Sequence, residues 1–220
     1  MPSDPYAATR HRMVEGQIRS RGIRNERVLA AVEKVPRHVF VPDDLKGMAY
    51  DDRPLPIGDG QTISQPYIVA LMTELLDPHI GDRVLEVGSG SGYQAAILAE
   101  LASEVISLER IPAVAARARR NLSAAGSRPV EVVVGDGTLG YPRKAPYQGI
   151  LVTAGTPAIP PPLVDQLADG GRLVAPVGPQ GVQELIRLVR EGGKVREESH
   201  GGVVFVPLIG EHGWRDEGAG

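Results

Sequence analysis

Cysteine is absent from this chain of 220 residues. Without cysteine there can be no disulfide bond, no thiolate metal site and no cysteine nucleophile. The five histidines show no H-x-x-x-H or comparable ligand spacing, so the sequence also predicts no metal site. The chain therefore offers neither thiol chemistry nor an evident metal centre.

Also lacking are a long apolar run and a strong charge of one sign. No stretch approaches the ~20 consecutive apolar residues of a membrane-spanning helix. The segment from Met1 to Ser20 carries several charged residues and no apolar core, so it does not resemble a signal peptide. The net charge of −3 provides no bulk attraction for nucleic acid. We therefore expect a cytoplasmic protein without membrane or nucleic-acid partners.

What remains is the composition of an ordinary globular protein, with 42% apolar and 23% charged residues. A length of 220 residues allows one sizeable domain or one domain with an appendage. We predict a single domain over residues 1–220. We expect residues 1–77 to form an N-terminal helical appendage with a substrate-binding loop, and residues 78–220 to form an α/β core with a C-terminal tail.

The first part of the chain predicts helices and one unusual loop. Helical spacing covers Arg10 to about Ser20, and Asn25 can cap a second helix that Pro36 ends. Residues 51–66 contain three prolines and two glycines, which predicts an ordered loop without periodic structure. Loops of this length in compact domains are often functional, and the alternative is a solvated linker. A helix at Tyr67–Leu76 follows.

The second part alternates between strand and helix patterns. Predicted strands lie at Arg83–Val87, Glu104–Leu108, Val130–Val134, Gly149–Thr153 and Arg172–Pro176, and predicted helices at Tyr93–Leu101, Pro112–Ala124 and Pro162–Leu167. This order predicts an α/β fold whose mostly parallel sheet has helices on both faces. Two later apolar segments, Val182–Val189 and Val203–Val206, predict antiparallel edge strands, with the polar segment Arg190–His200 connecting them.

A glycine-rich turn follows the first of these strands. In Gly88-Ser89-Gly90-Ser91-Gly92-Tyr93, the third glycine of a dinucleotide-binding G-x-G-x-x-G motif is replaced by Tyr93. The pattern of a P-loop is also absent. The spacing Glu86-x-Gly88-x-Gly90-x-Gly92 instead resembles the first motif of the S-adenosylmethionine (AdoMet) methyltransferases. The alternative is an ordinary glycine-rich turn in an α/β protein.

Acidic residues follow the next two strands, where an open α/β sheet binds its ligands. Glu109 stands 21 positions after Gly88, close to the spacing of about 20 expected for an acid that binds a ribose. Asp136 lies between two glycines and could accept a hydrogen bond from an adenine amine. The alternatives are a helix-capping acid at Glu109 and a plain turn at Asp136. The small residues of Thr153–Pro157 leave room for a substrate.

Over nearly its entire length the chain resembles the protein-L-isoaspartate O-methyltransferases. The similarity rests on Met13–Ile18, Val35–Pro42, Gln61–Tyr67, Leu85–Tyr93, Gly135–Gly137 and Phe205–Leu208. The Thr62–Pro66 block is the most specific of these. The resemblance implies a Rossmann-like fold and AdoMet as methyl donor, with S-adenosyl-L-homocysteine as product. It also implies protein repair, in which the α-carboxyl of L-isoaspartyl residues in damaged proteins and peptides is methylated.

The same resemblance implies the residues of the site. Ser64 is the expected catalytic residue. The expected cofactor-binding residues are Gln65, Glu86, Gly88, Ser89, Gly90, Gly92, Glu109, Asp136 and Gly137, and the expected substrate-binding residues are Thr62, Ile63, Ser64, Ala154 and Val206. A carboxylate is already ionised at pH 7, so methyl transfer needs no general base. Ser64 would orient that carboxylate, although it could also cap the following helix.

The resemblance is incomplete at the expected substrate pocket. The family tends to have further alanines after Ala154, whereas Gly155 and Thr156 stand there in this chain. Two other readings stay open: a methyltransferase of another carboxylate or of a small-molecule hydroxyl, and a non-catalytic AdoMet-binding scaffold. We expect the protein to be a monomer.

Overall fold

A computed structural model describes residues 4–216 of the chain. The N-terminal part is helical, as predicted: α1 spans Ala7–Met13 and α2 spans Glu26–Lys34. A π-helical turn continues α1 over Val14–Ile18. Asn25 caps α2, because its side chain accepts a hydrogen bond from the backbone N–H of Arg27 at 3.0 Å. Short 3₁₀ turns at Arg19–Arg21, Arg37–Phe40 and Asp43–Met48 complete this region.

Residues 51–66 contain a β-hairpin, so the prediction of a loop without regular structure is wrong for part of this segment. Strand β1 spans Leu55–Gly58 and pairs antiparallel with β2 at Gln61–Ile63. Asp59 between them has a positive φ of 53°, and Arg117 forms an ion pair with it at 2.9 Å. Two strands this short carry too few alternating residues for period 2 to be recognised in sequence. Helix α3, Pro66–Leu76, follows directly.

A seven-stranded sheet forms the core, in the order β5-β4-β3-β6-β7-β8-β9. Its first five strands in sequence are β3 Arg83–Val87, β4 Glu104–Glu109, β5 Glu131–Val134, β6 Tyr147–Val152 and β7 Leu167–Val177. They are mutually parallel. The connecting helices are α4 Tyr93–Leu101, α5 Pro112–Ala124 and α6 Pro161–Asp165. Because β4 and β6 flank β3, the strand order reverses at β3, where ligands of such sheets bind.

The C-terminal edge is antiparallel, as predicted, but its last strand lies elsewhere in the sequence. Strand β8 spans Gln183–Glu191, and β9 spans Lys194–Val203. The polar segment predicted to connect the edge strands therefore supplies most of β9, whereas Val204–Val206 lies beyond it. Most of β9 is exposed and rich in charged side chains, which is common on edge strands and removes the apolar alternation that would reveal them.

The N-terminal helices share one apolar core with the β1–β2 hairpin and with helices of the α/β part. Buried residues of α1 and α2 belong to the same cluster as those of the β1–β2 hairpin, α3 and α4. Tyr93 joins the two parts: its ring lies 4.9 Å from the Arg37 guanidinium and packs edge-on to Phe40 at 5.5 Å. No helix within residues 4–216 is long and apolar enough to cross a membrane.

Candidate active site

A cavity of about 400 Å³ opens at the carboxyl ends of the central parallel strands. Its walls come from the glycine turn after β3, the ends of β4 and β6, the loop after β2, and the segment Gly202–Ile209. Among the predicted site residues, those that line it are Thr62, Ile63, Ser64, Gln65, Gly88, Ser89, Gly90, Glu109, Gly137, Ala154 and Val206. Glu86, Gly92 and Asp136 are not among the lining residues.

The glycine turn is held against the neighbouring strands by hydrogen bonds to its backbone, and at Gly88 there is no space for a Cβ. Gly88 has φ +99°, and a Cβ there would lie 2.5 Å from Oγ1 of Thr153. That hydroxyl donates to the Gly88 carbonyl at 2.6 Å and approaches the Val87 carbonyl at 3.0 Å. The amides of Gly88 and Ser89 both donate to the Leu108 carbonyl. The turn is thus fixed between β4 and β6, and Gly88, Ser89 and Gly90 line the cavity.

Gly92, at the end of this turn, has a role in helix packing. Its φ is +90°, and an added Cβ would lie 3.2 Å from the carbonyl oxygen of Ala118 and 3.2 Å from Leu122 on α5. Glycine at this position therefore lets α4 start close to α5. Contact of Gly92 with a cofactor remains a prediction that its position does not support.

Glu109 ends β4 and ties two loops of the cavity together. One carboxylate oxygen accepts from the Gly90 amide at 3.1 Å, and the other accepts from the Ile111 amide at 3.0 Å. The side chain is 7% exposed. A carboxylate has about four lone-pair sites, so these two bonds leave acceptor capacity for a ribose diol in the cavity.

Glu86 is predicted to bind the cofactor, but it lies in the protein interior and does not line the cavity. It is fully buried in β3 and accepts a hydrogen bond from the Ser107 hydroxyl, which also bonds the Ser89 hydroxyl at 2.5 Å. Burial raises the pKa of Glu86 to about 8, against the opposing effect of the Ser107 hydrogen bond. Burial thus favours the neutral acid, and Glu86 supports the glycine turn through two serines.

Asp136 anchors the C-terminal tail, defined here as Ile209–Asp216. One of its oxygens caps the turn that follows, accepting from the amide and hydroxyl of Thr138 at 2.9 and 2.7 Å. The other accepts from the Glu211 amide at 2.8 Å. Burial disfavours the charge on Asp136, but these hydrogen bonds outweigh it and lower the pKa. The adenine-binding role predicted for Asp136 is untested, and only the adjacent Gly137 reaches the cavity.

Ser64 lies in the loop between β2 and α3 and faces the cavity. Within residues 4–216 its hydroxyl forms no hydrogen bond, and the N-cap of α3 is Gln65, without a capping side chain. Helix capping, the alternative role considered for Ser64, is therefore excluded. The Gln65 carboxamide donates to the Asp52 carbonyl at 3.2 Å and so connects this loop to the backbone at Asp52. Ser64 is left free to bond a ligand.

The sequence alone did not identify Thr153 as a site residue and indicated only a small residue that leaves space for a substrate. Its position at the end of β6, beside β3, was the available signal, because strand ends at a reversal of strand order bind ligands. It also missed lining residues from α3 and from the end of β4, such as Met72 and Arg110. In the described part of the chain, no cluster of side chains could hold a metal ion.

Comparison with known proteins assigns the family. A family model described as protein-L-isoaspartate(D-aspartate) O-methyltransferase matches residues 8–213. The chain is 63% identical to a protein-L-isoaspartate O-methyltransferase from Methanoculleus marisnigri over 217 residues, covering 99% of each protein. It is 61% identical to one from Methanoregula boonei over 212 residues, covering 96% of this chain and 98% of the relative.

Solved structures agree. A protein-L-isoaspartate O-methyltransferase matches with a TM-score of 0.83 at 28% identity, over 93% of this chain and 67% of that one. A Plasmodium falciparum structure, described under the same enzyme name and in complex with S-adenosyl-L-homocysteine, matches with a TM-score of 0.79 at 24% identity, over 94% and 99%. The predicted Rossmann-like methyltransferase fold and enzyme class are confirmed: the chain belongs to the protein-L-isoaspartate(D-aspartate) O-methyltransferase family, whose enzymes act in protein repair.

Proposed function

We propose that the cavity binds AdoMet against the glycine turn and an isoaspartyl α-carboxylate beside Ser64, and that methyl transfer takes place between them. The observation that carries this assignment is the common cavity itself. It is lined both by the glycine turn and by a loop whose serine hydroxyl has no partner within the described residues. Family membership supports both the reaction and the substrate class.

The residues present fit AdoMet. A phosphate-free ligand needs close backbone approach, and a side chain at Gly88 would collide with Thr153. Glu109 retains acceptor capacity for the ribose hydroxyls. The proposed cofactor-binding residues that line the cavity are Gln65, Gly88, Ser89, Gly90, Glu109 and Gly137. The Glu86 and Gly92 contributions are indirect, through the shape of the turn.

AdoMet supplies a methyl group on a positively charged sulfur, and a carboxylate oxygen can accept it as the carbon–sulfur bond breaks, leaving S-adenosyl-L-homocysteine. The chain's own residues then have to position the acceptor and exclude water. Positioning of this kind can lower a barrier by ~7–11 kcal/mol. The Ser64 hydroxyl donates to one carboxylate oxygen and leaves the other free to attack. Thr62, Ile63, Ala154 and Val206 form the surroundings of the peptide.

Three predictions about the whole protein remain part of this proposal: a single domain, a cytoplasmic location and a monomeric state. The exposed charged residues of β9 support a monomer, because they oppose pairing of this edge with a second copy. Size-exclusion chromatography with light scattering at micromolar concentration tests this point. A dimer mass would contradict it.

The reaction is tested with two synthetic peptides that differ only in whether one residue is L-isoaspartate or L-aspartate. With tritiated AdoMet, the isoaspartyl peptide should take up base-labile methyl groups and the aspartyl peptide almost none. Equal labelling of both peptides would indicate another carboxyl methyltransferase. AdoMet binding without labelling of either would indicate a scaffold protein.

A further inference from the structure

We propose that Gly155 and Gln183 act together as positioning residues for one wall of the substrate site. The wall is the segment Gly202–Ile209, which lines the cavity along its length. The inference rests on the proposed function, because it concerns how the same cavity selects among isoaspartyl peptides. Gly155 follows β6, and Gln183 is the first residue of β8.

The wall is docked on the backbone of Gly155. The Gly155 amide donates to the Val206 carbonyl at 2.8 Å, and the Leu208 amide donates to the Gly155 carbonyl at 2.8 Å. The indole N–H of Trp214 donates to the same carbonyl at 3.1 Å. Both the wall and the tail beyond it are therefore attached to Gly155.

Gln183 supplies a second attachment one residue earlier in the wall. Its side-chain carbonyl accepts from the Phe205 amide at 2.9 Å, and its amino group donates to the Pro179 carbonyl at 2.7 Å. The residue is 2% exposed. A buried carboxamide bonded at both ends has a defined position, because losing either partner would leave a buried polar group unsatisfied.

The two attachments are coupled by direct contact. A Cβ added to Gly155 would lie 2.9 Å from Cδ of Gln183 and 3.2 Å from its Cγ and Nε2. Gly155 does not have a left-handed φ, so its backbone would accept alanine. The three atoms nearest to the added Cβ all belong to the Gln183 side chain. An alanine would therefore displace the carboxamide and, through it, the Phe205 amide.

This coupling gives a physical reason for glycine at position 155. The glycine turn after β3 has its own attachments, to Leu108 and Thr153. A change at the Gly155–Gln183 contact should accordingly alter peptide binding and leave the binding of S-adenosyl-L-homocysteine intact. That separation distinguishes a positioning role from a general effect on folding.

The test compares Gly155→Ala, Gln183→Ala and the double variant with Gly47→Ala as matched control. Gly47 also has an ordinary φ, and no atom lies within 4 Å of its added Cβ. We expect each single variant to raise KM for isoaspartyl peptides by about 3–10-fold, with the dissociation constant of S-adenosyl-L-homocysteine changed less than about twofold. In the double variant, the alanine at 155 should add nothing to Gln183→Ala, since the side chain it displaces is gone.

A different pattern would overturn the coupling. Additive effects in the double variant, an unchanged KM in both single variants, or a cofactor affinity that shifts as much as KM would each do so. Hydrogen exchange gives a readout independent of activity: the Phe205 amide should exchange faster in Gly155→Ala and Gln183→Ala than in wild type or Gly47→Ala. If wild type methylates no isoaspartyl peptide, the proposed function fails, and the exchange rates alone decide the coupling.

Discussion

Ser64 shows how a hydroxyl without a hydrogen-bond partner in the described residues can indicate a binding site. Most buried or half-buried polar groups in this protein already have partners, as Glu109 and Asp136 illustrate. A hydroxyl that faces a cavity without a partner in the described part of the chain is available to a ligand. A hydrogen bond to a charged ligand contributes about 1.5–3 kcal/mol, enough to orient a carboxylate.

Replacement of Ser64 should therefore affect the methyl transfer more than cofactor binding. We expect Ser64→Ala to lower kcat/KM for an isoaspartyl peptide by about 10–100-fold, from the loss of one charge-assisted hydrogen bond. Isothermal titration should find the affinity for S-adenosyl-L-homocysteine within twofold of wild type. Ser123→Ala, at an exposed serine near the end of α5, is the control. A large loss of cofactor affinity with normal turnover would place Ser64 on the cofactor instead.

Glu86 gives a prediction about pH. Its folded-state pKa of about 8 lies above the ordinary value of 4.5, so the folded protein retains a proton that the unfolded chain releases between these values. The Glu86 contribution to stability is therefore complete below pH 4.5 and decreases as the pH rises toward 8. In Glu86→Gln, melting temperatures between pH 5 and 8 should fall less than in wild type. Parallel curves for the two proteins would refute the buried neutral acid.

Among the structural elements, the glycine turn was the easiest to predict. Its strand, turn and helix are specified by adjacent residues, and β3, α4 and α5 have the predicted bounds. Its attachment to β6 through Thr153 was not predictable, because it joins residues 65 positions apart. The local pattern identified the binding element, whereas only the fold shows what holds it in shape.

The Thr153 contact can be tested at Gly88. We expect Gly88→Ala to weaken binding of S-adenosyl-L-homocysteine at least ~10-fold, because a left-handed φ and the collision with Oγ1 would both distort the turn. Gly126→Ala provides the matched control, since Gly126 also has a positive φ but has no atom within 4 Å of an added Cβ. Equal affinity in the two variants would contradict the role assigned to Thr153.

The C-terminal tail offers a second test at this scale. Removing the Asp136 carboxylate leaves the amides of Glu211 and Thr138 without their acceptor, so Asp136→Ala should destabilise the protein by about 1–3 kcal/mol. Hydrogen exchange should accelerate at Glu211 and His212. The exposed Asp44→Ala is the comparison. Unchanged exchange in the tail would show that Asp136 does not hold it.

For the whole molecule, the sequence predicted the parallel strands of the core well. It predicted the β1–β2 hairpin and the C-terminal edge strand β9 less well. Buried parallel strands such as β3 are continuous apolar runs, so they stand out. The β1–β2 hairpin is too short for a pattern, and the charges of β9 obscure its strand character. Most of the predicted site residues line the cavity, with Glu86, Gly92 and Asp136 as exceptions. The contacts of Gln183 and Thr153 with distant segments have no local signature in the sequence.

In the proposed reaction, an α-carboxylate accepts the methyl group beside Ser64. The most direct measurement is a single-turnover assay with tritiated AdoMet and two isoaspartyl peptides, one with a free α-carboxylate and one with an α-carboxamide in its place. We expect close to one base-labile methyl group per carboxylate peptide and none on the carboxamide. Comparable labelling of both peptides would contradict the proposed reaction, because the acceptor would then lie elsewhere in the substrate.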